Sequence, residues 1–194
     1  MPESLGDGRT IEKRRRILQA AWRLVLRQGL RSTTMEALAR EAGIAKGTLY
    51  AQFVDKDAVI GAVIDDMVVE VQAAFGDGMA GEGPVAERVG AALAGKYGVI
   101  ARALEGSPHA EEILNEHYRY AARFEALDRR VESEVADALA QAGAADSTIL
   151  ARIVIGAANG VAHKMAGAEA IGRAIRLVCG RLIEPDVEAW RPRA

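Results

Sequence analysis

Apolar residues recur every three or four positions along nearly the whole chain, while clean alternation of apolar and polar residues over a strand's length is hard to find. That spacing confines the chain to helices that each bury one face against their neighbours. The composition is rich in Ala, Leu, Arg and Glu, all good helix formers. The predicted fold class is all-α. At 194 residues, half of them hydrophobic, the chain is long enough to bury one core and an adjoining second. A wholly disordered chain is excluded.

Charge is unevenly divided. Residues 1–57 carry 11 Lys and Arg against 7 Asp and Glu, a net of +4; residues 58–194 carry 14 against 20, a net of −6. A basic end on an acidic body suits a protein whose first part alone meets a polyanion, because Lys and Arg contacts to phosphate dominate nucleic-acid affinity. The single cysteine, Cys179, cannot form an intrachain disulfide, and no apolar run precedes the charges of residues 1–10, so a reduced, cytoplasmic setting is expected. The longest uncharged apolar stretches, such as Ile153 to Val161, are far short of the roughly 20 residues that cross a bilayer. No membrane partner is expected.

Cap and turn residues divide the chain. The first helix is predicted over Ile11 to Gln28, behind a flexible arm of residues 1–10, with Thr10 as cap, Ile17, Ala21, Leu24 and Val25 inward and Gly29 as stop. A short second helix starts at Thr33 or Thr34, turns Met35, Leu38 and Ala39 inward and ends at Ala42-Gly43. After the turn Gly43-Ile44-Ala45, a third runs Lys46 to Phe53. A fourth begins near Asp57, carries Ile60, Val63, Ile64, Met67, Val71 and Phe75 on one face, and joins the two halves; the glycine-rich stretch Gly76 to Gly83 is the clearest break after it. Helices follow over Pro84 to Leu104, over a periodic run from Ile113 to Ala138 that is one helix or two, over Asp146 to Ala166 and over Ala168 to Ile183, where Pro185 is expected to stop regular structure. The expected division is a helix-turn-helix domain over 11–57 and a helical body over 58–194.

Two short helices joined by a tight glycine-containing turn are the unit that reads a DNA major groove. The groove is about 12 Å wide and accepts one helix, so the reading helix needs an apolar underside and small or hydrogen-bonding side chains outward. Leu49 and Phe53 supply the underside here. Lys46, Thr48, Ala51 and Gln52 then point outward, able to reach base edges or a thymine methyl, and Gly47 permits close backbone approach.

The segment Thr33 to Lys56, TTMEALAREAGIAKGTLYAQFVDK, with ILQAAWRLVLRQG over Ile17 to Gly29 before it, resembles the helix-turn-helix of the TetR family of transcriptional regulators. The resemblance implies a three-helix DNA-binding domain joined to a helical domain for ligand binding and dimerisation. It implies DNA contacts over Thr33 and Thr34, with phosphate held by Thr34, Tyr50 and Lys56 and the groove read by Lys46, Thr48, Ala51 and Gln52. Leu38, Ala39, Ala42, Leu49 and Phe53 take core roles. Two positions depart from the family's habit: Ala45 stands where Ser or Thr usually caps the reading helix, and Ala51 where a larger side chain is common.

In the body, the small and polar residues Gly156, Asn159, Gly160 and His163 form one stripe of the penultimate helix, and Ile171, Ile175, Val178 and Leu182 one face of the last. A four-helix interface across a twofold axis is therefore expected to use Gly156, Gly160, Ile171, Ile175, Val178 and Leu182, unless these helices only close the subunit's own core. Candidate effector-contacting residues are Met67, Val71, Phe75, Tyr97, His117, Tyr118, Phe124, Asn159 and His163, each of which has an ordinary core or surface reading as well. His109 and His117 lie two helical turns apart, too far to share a metal, and no cofactor is expected. Paired carboxylates, a nucleophile elbow and a phosphate loop are absent from the sequence, so an enzyme is not expected. The reading is a homodimeric repressor that binds a palindromic double-stranded operator and is released by a small-molecule effector. The alternatives are a helical protein-interaction module or a non-specific DNA binder without effector.

Overall fold

Capping residues and glycines set most of the element ends in the computed structural model, which describes residues 4–115 and 119–188, with the side chains of 4–9 and 188 excepted. Among the described residues the elements are helices α1 (Ser4–Ser32), α2 (Met35–Ala42), α3 (Lys46–Tyr50), α4 (Lys56–Met79), α5 (Val85–Leu104), α6 (Ala110–Asn115), α7 (Ala121–Gln141), α8 (Ser147–Lys164) and α9 (Ala168–Glu188). None is long and apolar enough to cross a membrane.

Several boundaries differ from expectation. Helix α1 starts at Ser4, so residues 4–10 of the expected arm are helical; Gly6 and Gly8 cost about 1 kcal/mol each relative to alanine but do not stop a helix. Helix α4 runs through Gly76 and Gly78 to Met79. A Cβ at Gly78 would strike the backbone of Ala92 on α5, so that glycine serves close helix packing and not a turn. Helix α9 continues past Pro185 to Glu188. A proline forfeits one intrahelical bond, and here the turn it weakens, 181–185, contains Ile183, which packing holds fully buried. The periodic run expected as one helix or two is α6 and α7.

Two compact units divide these elements: Met1–Met67 with Gly106–Arg123, and Val68–Glu105 with Phe124–Ala194. The first therefore takes in ten residues beyond the expected boundary at 57 and recruits α6 from much later in the chain. Its core is built from Ile17, Ala21 and Leu24 of α1, Leu38 and Ala42 of α2, Leu49 of α3, Phe53 and Val59. Side-chain and backbone bonds fasten α6 to the end of α1: the Ser107 hydroxyl donates to the Leu26 carbonyl at 2.8 Å, and Glu112 accepts the Arg31 N–H at 3.0 Å. In the second unit α5 packs along α9, and α8 packs on both. Val89, Leu93, Val154, Ala158, Ile175 and Cys179 lie in its interior.

Candidate nucleic-acid interface

The reading helix owes its position to three local devices. Thr34 adopts the extended backbone of a cap and its hydroxyl accepts the Ala37 N–H at 3.2 Å, satisfying one orphan donor at the start of α2. Helix α2 ends at Gly43 in the left-handed conformation, where the Gly43 N–H reaches the Arg40 carbonyl at 3.2 Å and the Ile44 N–H reaches Ala39 at 3.0 Å. Asp55 then opens α4 by accepting the Ala58 N–H at 2.7 Å. Between these fixed ends sits α3, shorter than predicted because regular helix stops at Tyr50. Its hydrogen bonding still reaches the predicted limit, since the Phe53 N–H donates to Leu49 at 2.9 Å. Ala45 has the backbone of a cap and no capping side chain, as its identity requires.

The predicted contact residues separate into those that face outward and those that do not. Lys46, Gly47, Tyr50 and Ala51 are exposed, with Thr48 and Gln52 half-buried beside them, while Leu49 and Phe53 lie in the core below. Thr34 is exposed at the start of α2. Thr33 is 1% exposed and its hydroxyl donates to the Gly29 carbonyl at 2.8 Å, so its predicted DNA contact is withdrawn: the side chain is spent inside the fold. Lys56 is half-buried and donates to the Leu30 carbonyl at 2.9 Å, which holds its ammonium at the edge of the unit.

Glu36 is a participant that sequence reasoning missed. It pairs with Lys46 across the turn, and that hydrogen bond draws the Glu36 carboxyl below its ordinary range and the Lys46 ammonium above its own. Lys46 also lies 5.8 Å from the centre of the Tyr50 ring. An acidic residue in the first turn of α2, ten positions before a lysine that opens α3, was the available signal.

In the second unit the expected interface residues fall on two different faces. Ile171 and Ile175 are buried in the subunit's own core, 3% and 0% exposed, so their assignment to a dimer contact is corrected; both the core stripe and an interface stripe of α9 are apolar, and spacing alone cannot tell them apart. Val178 and Leu182 are half-buried, and Gly156 and Gly160 are exposed with open space where a Cβ would stand. Beside these glycines on α8 are Ile149 and Ile153, 54% and 50% exposed, and on α9 Leu177 is 62% exposed. Of the effector candidates, Val71, Phe75 and Tyr97 are buried, and Met67 and Phe124 half-buried. Asn159 and His163 are exposed on α8, which withdraws them from any enclosed site. His117 and Tyr118 lie outside the described residues. Lys96, next to Tyr97, is buried and pairs with Asp128 at 2.8 Å, and burial pushes the Tyr97 phenol upward. A cleft of about 390 Å³ opens elsewhere in this unit, beside Gly78, Glu82, Glu87, Arg88, Arg176 and Glu184, and includes none of the expected effector residues.

Residues 17–63 match the family model described as bacterial regulatory proteins, tetR family. Among curated proteins, the uncharacterized HTH-type transcriptional regulator YerO of Bacillus subtilis (strain 168) is 39% identical over 49 residues, a stretch covering 25% of this chain and 17% of that protein. The fold extends further than the sequence match. A TetR-like transcriptional regulator from Rhodococcus sp. RHA1 superposes with a TM-score of 0.68 at 21% identity, covering 87% of this chain and 94% of that one. The fatty acid degradation regulator FadR from Bacillus halodurans gives 0.67 at 14% identity, with 87% and 95% covered. AibR, solved in complex with isovaleryl coenzyme A and operator DNA, gives 0.64 at 20% identity, with 88% and 98% covered. Residues 17–63 thus match the model of the tetR family of bacterial regulatory proteins, and the chain as a whole has the fold of these TetR-like regulators.

Proposed function

We propose that the protein is a homodimeric transcriptional repressor that grips a palindromic operator with two copies of α3 and lets go when a small molecule occupies its helical body. The observation that carries the reading is the outward face of α3. Lys46, Thr48, Ala51 and Gln52 stand over a core of Leu49 and Phe53 within a segment that matches the family's DNA-binding domain. In this reading those four meet base edges and groove walls, Gly47 lets the backbone come close, and Thr34, Tyr50 and Lys56 hold phosphate. The DNA-binding domain of the proposal is residues 11–57, and residues 58–194 form the effector-binding and dimerisation body.

Dimerisation is supported by the exposed apolar residues Ile149, Ile153 and Leu177 beside Gly156 and Gly160. Small residues let helices approach, and a twofold axis through α8 and α9 buries the same patch of both subunits. For the effector, one fold relative is a fatty acid degradation regulator and another was solved with isovaleryl coenzyme A. Short organic acids and their coenzyme A thioesters are accordingly the class to screen first. The buried Val71, Phe75 and Tyr97 are where such a guest would insert, shifting the population toward a form whose two reading helices no longer match the operator.

Selection of bound duplexes from a random DNA pool, repeated at two salt concentrations, tests the proposal. A recovered palindrome with steep salt dependence supports it. Salt-sensitive binding with no preferred sequence replaces it by a non-specific DNA binder, and no binding by a protein-interaction module.

A further inference from the structure

The inward stripe of α1 runs through Ile17, Leu18, Ala21, Leu24 and Val25, all buried. One turn earlier the same stripe falls on Arg14, where an apolar residue would continue it. The Arg14 guanidinium instead lies over the ring of Phe53, its central carbon 4.9 Å from the ring centre, and the side chain is exposed. Phe53 directly follows Gln52, so Arg14 is seated at the C-terminal end of the reading segment.

The neighbouring cations are committed. Arg15 pairs with Glu12 at 2.8 Å, and Arg16 donates to the Ala42 carbonyl at 3.4 Å. Arg14 makes no hydrogen bond or ion pair among the described residues; its ring contact is what orients it. A contact with a ring engages none of the guanidinium's N–H donors, which stay available for bidentate capture of a phosphate. A helix lying in a groove about 12 Å wide has a phosphate strand within side-chain reach on either side.

We propose that Arg14 is a DNA-backbone contact contributed by α1, outside the helix-turn-helix, with Phe53 serving as the platform that presents its guanidinium to a phosphate at the end of the reading helix. This rests on the DNA-binding function proposed above. The contact neutralises one phosphate per half-site and is blind to base sequence.

The test measures the affinity of the full chain for one selected duplex between 50 and 200 mM salt, for the unaltered protein, Arg14→Gln, Arg14→Lys and Arg15→Gln. Each phosphate contact contributes about 0.9 to the slope of log affinity against log salt, and a dimer on two half-sites loses two of them, so the slope falls by about 1.8 and the fourfold-salt effect shrinks roughly 12-fold. Arg14→Gln is expected to lose that slope at every sequence, Arg14→Lys to keep it, and Arg15→Gln to match the unaltered protein. Melting temperatures separate the roles, because a purely structural Arg14 would lower the melting temperature in Arg14→Gln and leave its slope unchanged, which overturns the proposal. A second measurement uses duplexes with single methylphosphonate substitutions: one position near each half-site must weaken the unaltered protein and not Arg14→Gln, and its absence also overturns the proposal. If the unaltered protein binds no duplex, the DNA reading itself fails and takes this inference with it.

Discussion

The carboxylate of Glu112 on α6 accepts the backbone N–H of Arg31 at 3.0 Å, and the same carboxylate fills the space where a Cβ on Gly29 would stand. Gly29 breaks α1 at φ 81 and ψ 164, a region that is essentially glycine's alone. Its carbonyl in turn takes the Thr33 hydroxyl at 2.8 Å, and Thr34 caps α2 one residue later. The start of the reading unit is thus set by a residue 81 positions from Arg31 in the chain. Gly29→Ala is expected to lose about 1–3 kcal/mol from backbone strain, with more from the collision. Glu112→Ala removes the collision and leaves the strain, so the double variant should lose less than the sum of the single ones in chemical denaturation. Strict additivity would show that Glu112 does not press on this break.

Thr33 and Thr34 are adjacent and alike, yet their variants should separate. Thr33→Val deletes a buried donor to the Gly29 carbonyl and is expected to cost about 1–2 kcal/mol of stability with no change in the salt dependence of DNA binding. Thr34→Ala removes a helix cap for about 1 kcal/mol, and on the proposed phosphate contact it also weakens binding at every sequence. Denaturation midpoints with affinities at two salt concentrations distinguish the two. A salt effect from Thr33→Val would contradict its placement in the core.

The caps and turns that organise α2 and α3 were legible because each is a local event. Thr34 and Gly43 act within a few residues of themselves, and the outward set on α3 follows from a 3.6-residue period once Leu49 and Phe53 are taken as its underside. The tie between Glu112 and Arg31 was not legible, since nothing near either residue points to the other. The faces of α9 were misjudged for a different reason. Ile171, Ile175 and Leu177 are all apolar, and only the packing of α5 along α9 decides that the first two are interior and the third is not. Gly78 was taken for a turn because a glycine that ends a helix and one that admits a neighbouring backbone are identical in sequence.

Ala45 offers a gain of stability. Its φ of −64 and ψ of 143 already suit a capping residue, and the start of α3 has no side-chain acceptor. Ala45→Ser should raise stability by about 0.5–1 kcal/mol, read as a higher melting temperature. The Glu36–Lys46 pair spans the same turn, and as an exposed pair it is expected to contribute little by itself, so Glu36→Gln should shift the melting temperature far less than Ala45→Ser does. A larger loss from Glu36→Gln would assign to that pair the pinning of the reading helix.

Burial pushes the Cys179 thiol up from 9.0 to about 11, so the folded protein resists the deprotonation that makes a thiol reactive. At pH 8 a thiol reagent should leave the native protein unlabelled and label it fully in denaturant. The unfolded chain releases this proton at lower pH than the folded one, so the thiol's contribution to stability falls as pH rises from about 9 toward about 11. Comparing denaturation midpoints of the unaltered protein and Cys179→Ala at pH 8 and pH 10 isolates that contribution. Equal pH dependence in both proteins would contradict it.

The proposed dimer makes the sharpest demand on α8 and α9. Ile149, Ile153, Gly156 and Gly160 succeed one another at steps of four, three and four, which places them on one face of α8, and Leu177 projects from α9. Ile153 and Leu177 are 50% and 62% exposed, so covering them in a second copy contributes about 1–2 kcal/mol for each side chain, and a twofold axis counts each of them twice. A glutamate at either position would have to lose its water without a partner, which costs more than the apolar contact gains. Ile153→Glu and Leu177→Glu should each sediment as a folded monomer at concentrations where the unaltered protein sediments as a dimer. Their helical content should be unchanged, because both side chains are exposed in the single subunit. Ile175→Glu is the contrasting variant: it is expected to unfold the body, since Ile175 is wholly buried within it. If the exposed-face variants remain dimeric, the two subunits meet through a different surface.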